Sequence, residues 1–177
     1  MSNIFFASDH HFHHANILTF KRADGKPLRV FKDVDHMNEW MVYKHNLVVK
    51  PSDKVYFLGD VTMSRNAKGL EILGRMNGEK VLIRGNHDMC TLNQYAQYFK
   101  DVRGCHQFDG MFFSHVPIHP ESLSRWKVNV HGHLHANRVL WTLSQIPDDR
   151  YQCVCMEQLD DYTPIELSEL KKKCSIV

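Results

Sequence analysis

Short apolar runs punctuate the chain, and each stops abruptly at polar or glycine-containing sequence: Ile4 to Ala7, Val55 to Leu58, Val81 to Ile83, Met111 to Phe113, Val128 to Val130 and Tyr151 to Cys155. Their length and their β-branched or aromatic content predict strands. Helical spacing recurs between them. Val34, Met37, Met41 and Leu47/Val48 fall on one face of a helix over Val34 to Val48, and shorter helices are predicted over Ala67 to Met76 and Leu92 to Phe99. Near the end, Thr163, Pro164 and Glu166 combine an N-cap hydroxyl, a first-turn proline and a glutamate in capping-box position. They predict a helix that starts there and reaches Lys173. Strands alternating with helices predict an α/β protein, whose ligands gather in loops beyond the carboxyl ends of the strands.

Length and charge narrow the field. A chain of 177 residues without a linker or internal repeat predicts a single domain over 1–177, large enough to bury a core without disulfides. With 22 Lys+Arg against 20 Asp+Glu, the formal charge of +2 gives no strong nucleic-acid footprint. No apolar run approaches the ~18 residues of a membrane span, and the first residues lack the basic region of a secretory leader. The 5 cysteines, an odd number without framework spacing, predict a reduced, cytoplasmic setting and ordinary thiols at Cys153 and Cys155. Phe5, Phe6, Phe112, Phe113 and Trp40 are expected in the core, and His36 and His45 in the core or at the surface. The unusual count is 13 histidines, most of them clustered.

The clusters follow the strands. Asp9, His10, His11, Phe12, His13 and His14 come after the first; Gly59 and Asp60 after the second; Arg84, Gly85, Asn86, His87 and Asp88 after the third. Ser114 and His115, then His131, Gly132, His133, Leu134 and His135, follow the next two. Carboxylate oxygen combined with neutral imidazole suits Mn, Fe, Zn, Co or Ni. Asp9 and His11, and likewise His133 and His135, are two apart and in extended chain would share a side. An aspartate such as Asp60 can bridge two ions with its two oxygens.

Asp9-x-His11, Gly59-Asp60, Gly85-Asn86-His87-Asp88, His115 and Gly132-His133-x-His135 resemble, in order, the five blocks of the calcineurin-like metallophosphoesterases, and Tyr162-Thr163-Pro164-Ile165 resembles the C-terminal end of their small microbial and phage members. The resemblance implies a four-layer αββα sandwich of two mixed β-sheets flanked by helices. It implies two divalent cations, Mn expected and Fe, Ni, Zn or Co as alternatives. Asp9, His11, Asp60 and His135 would hold one, and Asp60, Asn86, His115 and His133 the other. Hydroxide held between the ions would attack phosphorus. His87 would act as general acid, with Asp88 orienting and charging its imidazole. His14, Asn16 and Arg84 are candidate substrate contacts. His10 and His131 are read as packing residues, His13 as a lesser pocket candidate and His119 as a rim residue.

The implied substrate is a phosphoester, with a nucleotide-type phosphodiester favoured. Protein phosphatases of this family carry an arginine in the second block that grips a monoester; here Ser64 stands in its place and Arg65 is displaced by one. A phosphomonoesterase and a non-catalytic binding module are the alternatives. The C-terminal Cys174-Ser175-Ile176-Val177 after Lys171 to Lys173 fits a prenylation pattern, against the simpler expectation of a helix end whose cations complement its dipole.

Overall fold

The computed structural model describes residues 2–64 and 66–176. In chain order the first elements are β1 (Ile4–Ala7), α1 (Val34–Val48), β2 (Lys54–Phe57), β3 (Glu79–Ile83), α2 (Leu92–Tyr95) and β4 (Asp101–Arg103). They are followed by β5 (His106–Phe108), β6 (Met111–Ser114), β7 (Val128–His131), β8 (Tyr151–Cys153), β9 (Ile165–Glu166) and α3 (Leu167–Lys173). The strands form two mixed sheets, in the orders β4-β3-β2-β1-β9 and β5-β6-β7-β8. In the first, β1 to β4 run parallel and β9 pairs antiparallel with β1. In the second, β5 is antiparallel to β6 while β6, β7 and β8 are parallel.

Strand alternation decides what each face meets. Phe6 on β1 and Tyr56 on β2 face the second sheet, where Phe6 stacks on Phe113 with ring centroids 5.0 Å apart and on Phe108 at 6.0 Å. Phe57 points the other way, against His45 of α1 at 6.0 Å and Phe99 at 5.6 Å. The helix α1 starts where Asp33 accepts from the His36 N–H at 2.8 Å, an N-cap, and it buries Met37, Met41, Val42 and His45. The outer face of the second sheet carries the 3₁₀ turn Pro120–Arg125 and Trp126, whose ring packs 4.4 Å from Phe112. Phe112 and Trp40 are therefore only half-buried, against the expectation that both are core.

Three elements differ from the sequence reading. Residues Ala67–Arg75 wind as a 3₁₀ helix; Gly69 and Gly74 within it depress α-helix propensity. The second helix ends at Tyr95, because tight turns follow and bring Lys100 to the carbonyl of Lys80 at 2.8 Å at the entrance to β4. The start signal at Thr163, Pro164 and Glu166 is overridden: Ile165 pairs with Phe6 as the edge strand β9, and α3 begins at Leu167 with no side-chain cap. Lys171, Lys172 and Lys173 occupy its last turn, Ile176 is buried, and burial pushes the Cys174 thiol up to about 11. Arg65 and Val177 lie outside the described residues. Among the described residues no helix is long and apolar enough to cross a membrane.

Candidate metal centre

The loops leaving β1 and β2 run side by side. Asp9 N donates to Gly59 O at 3.0 Å, His11 N to Asp60 O at 3.0 Å and Phe12 N to Val61 O at 2.9 Å. Backbone direction is set by left-handed residues: Asp9 (φ 58°), His11 (50°), Asp60 (52°), His133 (69°) and His135 (51°) all have positive φ. Asp9 with His11, and His133 with His135, are thus held by bends and not by the extended chain that their spacing suggested. Close approach does the rest. A Cβ on Gly59 would lie 2.5 Å from His115 Nδ1, and one on Gly85 would strike Asp60 Oδ1, so neither position has room for a side chain.

Two overlapping groups of donors result. Asp9, His11 and His135 offer atoms within 4.8 Å of one another, as do Asp9, Asp60 and His115. Asp9 Oδ1 stands 3.6 Å from His11 Nε2 and 3.8 Å from His135 Nε2. Asp60 Oδ2 lies 3.7 Å from His11 Nε2 and 3.4 Å from His115 Nε2. Asn86 Oδ1 completes the ring, 2.9 Å from His115 Nε2 and 3.0 Å from His133 Nδ1. All the predicted ligands therefore come together. Asp60 differs from expectation in using Oδ2 alone toward both sides, because Oδ1 accepts the His87 N–H at 2.8 Å.

The donor set has the character of a cation site. Asp9 Oδ1 and His11 Nε2 are buried and have no hydrogen-bond partner among the described residues, a costly state for polar atoms unless something ligates them. The other Asp9 oxygen is fully used, accepting from Ser8 Oγ at 2.5 Å, His133 N at 2.8 Å and Cys155 Sγ at 3.1 Å. His115 Nδ1 donates to Leu58 O at 2.7 Å, which leaves Nε2 toward Asp60. Burial opposes ionisation of Asp9, yet the nearby His11, His115 and His135 imidazoles hold its carboxyl well below the usual range. Burial also works against the His115 cation, but Asp60 and Asp9 outweigh it and raise the imidazole to about 9.

Sequence reasoning missed an ion pair behind this centre. Arg29, wholly buried, donates to Glu157 Oε1 at 2.7 Å, His10 O at 2.7 Å and Asp9 O at 2.5 Å. The same Glu157 oxygen accepts from His135 Nδ1 at 3.0 Å. Glu157 follows β8, so the strand-end signal that flagged the other clusters also applies to it. Arg29 carries no comparable signal. Cys153 and Cys155 are free thiols with Sγ atoms 3.2 Å apart.

The remaining candidates separate. His87 is exposed at the rim, its ring 5.8 Å from that of His11. Asp88 does not orient it: the Asp88 carboxylate accepts from Asp60 N at 2.9 Å, Val61 N at 3.0 Å and Gly85 N at 2.8 Å, fastening two loops together. Arg84 donates to Asp88 O at 2.9 Å and so braces its own loop. His14 lies between His11 and Phe20, ring centroids 5.6 and 5.7 Å away, and Asn16 is exposed. His13 pairs with Asn38. His10 packs against Phe12 and Phe57; burial lowers its pKa, and brings that of His131 to about 4. His119 caps the 3₁₀ turn Pro120–Arg125 by accepting from Glu121 N.

Comparison with known proteins places the chain among uncharacterised relatives. No family model matches it. It is 36% identical over 143 residues to the uncharacterized protein MJ1445 of Methanocaldococcus jannaschii, covering 78% of this chain and 73% of that protein. The chain belongs to the family of MJ1445. Its structure is similar to that of AQ665, a protein of unknown function from Aquifex aeolicus, with a TM-score of 0.70 and 27% identity over 97% of this chain and 99% of the other. A more distant likeness, TM-score 0.48 and 18% identity over 81% of this chain and 66% of the other, is to the nuclease MPE of Pseudomonas putida.

Proposed function

We propose that this protein is a metal-dependent phosphoester hydrolase that cleaves nucleotide-type phosphodiesters. Asp9, His11, Asp60 and His135 would hold one divalent cation, and Asp60, Asn86, His115 and His133 a second. The observation that carries the reading is the pair of buried atoms Asp9 Oδ1 and His11 Nε2, which stand 3.6 Å apart and have no hydrogen-bond partner among the described residues. Mixed oxygen and imidazole donors favour Mn, Fe, Zn, Co or Ni, of which Mn is the expected occupant. When bound, such a pair of ions supplies Lewis acidity toward the phosphoryl group and a nucleophile at neutral pH.

The chain's own groups do the rest. Asp60 Oδ1 accepts the His87 N–H at 2.8 Å and so fixes that residue at the rim beside the donor ring. From there the His87 imidazole hands a proton to the leaving oxygen. Asp88 and Arg84 hold the loop that carries it. Ser64, in place of an arginine that would grip a monoester, supports the diester preference.

Hydrolysis of bis-p-nitrophenyl phosphate and p-nitrophenyl phosphate with added manganese tests this directly. The diester is expected to be the better substrate. His87→Ala is expected to lose about 10²–10⁴-fold in rate with manganese content unchanged. Undiminished activity in that variant, or no manganese bound by the parent chain, overturns the proposal.

A further inference from the structure

Beyond the candidate centre the chain folds back as a small hairpin. Lys21 and Pro27 form an antiparallel bridge, Arg22 N donates to Lys26 O at 2.8 Å and Leu28 N to Phe20 O at 2.8 Å. Gly25 supplies the turn, with φ 81° and open space around it. Arg29, directly after Leu28, is the buried cation that binds Asp9 O, His10 O and Glu157. The hairpin is thereby fastened to the groups that position Asp9 and His135.

Between this hairpin and the segment after β7 lies a cleft of about 560 Å³ lined by Phe20, Lys21, Arg22, Leu28, His135 and Asn137. Its volume is within the range of small-molecule sites, and His135 belongs both to it and to the donor ring. Phe20 is 45% exposed, a large aromatic surface left in water. Its ring meets His14 edge-on at 5.7 Å, and His14 stands 5.6 Å from His11, so ring follows ring from the donor centre into the cleft. Lys21 and Arg22 are exposed and, among the described residues, make no ion pair. Among the same residues the Asn137 side-chain amide makes no hydrogen bond, whereas the Asn137 backbone carbonyl accepts from Gln158 Nε2 at 2.7 Å.

We propose that this cleft is a nucleoside phosphate subsite. Phe20 stacks the base, the Asn137 amide meets the base edge, and Lys21 and Arg22 hold a phosphate. As a subsite of the phosphodiesterase it rests on the functional reading above, although nucleoside binding here is measurable without it. An aromatic platform flanked by cations is the combination that binds nucleotides through stacking and charge without demanding a particular base.

The test is calorimetric titration of the full chain, treated with EDTA so that neither probe is consumed, with AMP and with ribose 5-phosphate. The probes share sugar and phosphate and differ by the base. AMP is expected to bind at least about fivefold more tightly. Phe20→Ala is expected to abolish that preference and Phe20→Trp to keep it, while Lys21→Gln with Arg22→Gln weakens both probes alike. Equal binding of the two probes, binding of neither, or a preference that survives Phe20→Ala overturns the proposal. A base preference in a chain that hydrolyses no phosphoester with manganese retains the subsite and removes the phosphodiesterase reading; hydrolysis without a base preference does the reverse.

Discussion

Glu157 Oε1 stands 3.0 Å from Nδ1 of His135, on the opposite side of the imidazole from the Nε2 that faces Asp9. The carboxylate thus fixes the tautomer that leaves Nε2 free as a ligand. It also neutralises Arg29, whose side chain is fully buried. Glu157→Gln is expected to weaken manganese binding about 10–100-fold and to destabilise the fold by roughly 3–5 kcal/mol, since Arg29 is left without its counter-charge. Adding Arg29→Met should recover only part of the stability, because the buried Asp9 and His10 carbonyls then lose their donor, and none of the affinity. Urea unfolding and manganese titration of the single and double variants check both parts.

Asp88 acts on backbone, not on His87. Its carboxylate accepts N–H bonds from Asp60, Val61 and Gly85, and burial raises its pKa. Asn at this position turns an N–H donor toward those donors, so Asp88→Asn is expected to cost about 1–3 kcal/mol and to loosen manganese binding. The shape of the pH–rate profile should stay that of the parent. A displaced limb in that profile would return Asp88 to the role of partner to the His87 imidazole.

His45, which is not one of the donor residues, gives the fold a pH dependence of its own. Its Nε2 donates to Asn77 O at 2.9 Å, and burial, only partly offset by that bond, lowers its pKa to about 4. The unfolded chain takes up this proton near 6.5 and the folded chain only near 4, so the contribution is complete above pH 6.5 and is lost as pH falls through 4. The full span is about 3 kcal/mol. His45→Gln keeps a donor for Asn77 and removes the titration. The difference between parent and variant urea midpoints from pH 7 to pH 4 should show this slope, and a constant difference would refute it.

Much of the fold is legible in apolar runs. The helix α1 has the bounds that its periodicity gives, and β1, β2, β3, β6, β7 and β8 lie where the short runs stand, within a residue or two. The strands β4, β5 and β9 escape because runs such as Asp101–Arg103 and His106–Phe108 are three residues long with a single apolar side chain each. Ile165 joins the sheet because an open edge beside Phe6 outweighs a local helix signal. At the centre, the polar clusters at strand ends mark which residues converge. The buried partners Arg29 and Glu157 lie 128 positions apart, and nothing local pairs them. The role of Asp88 is hidden for another reason: adjacency to His87 in sequence does not tell which way a carboxylate turns.

Left-handed backbone at Asp9, His11, Asp60, His133 and His135 costs about 1–2 kcal/mol per residue, a debt that only the surrounding sheets can hold in place. The organisation that a cation would otherwise have to impose is therefore done when the polypeptide folds. Cation affinity and conformational stability should then move together, even for substitutions deep between the sheets, such as Phe113, that touch no donor atom. A peptide copied from any one of these loops would relax to ordinary backbone angles and retain none of the affinity.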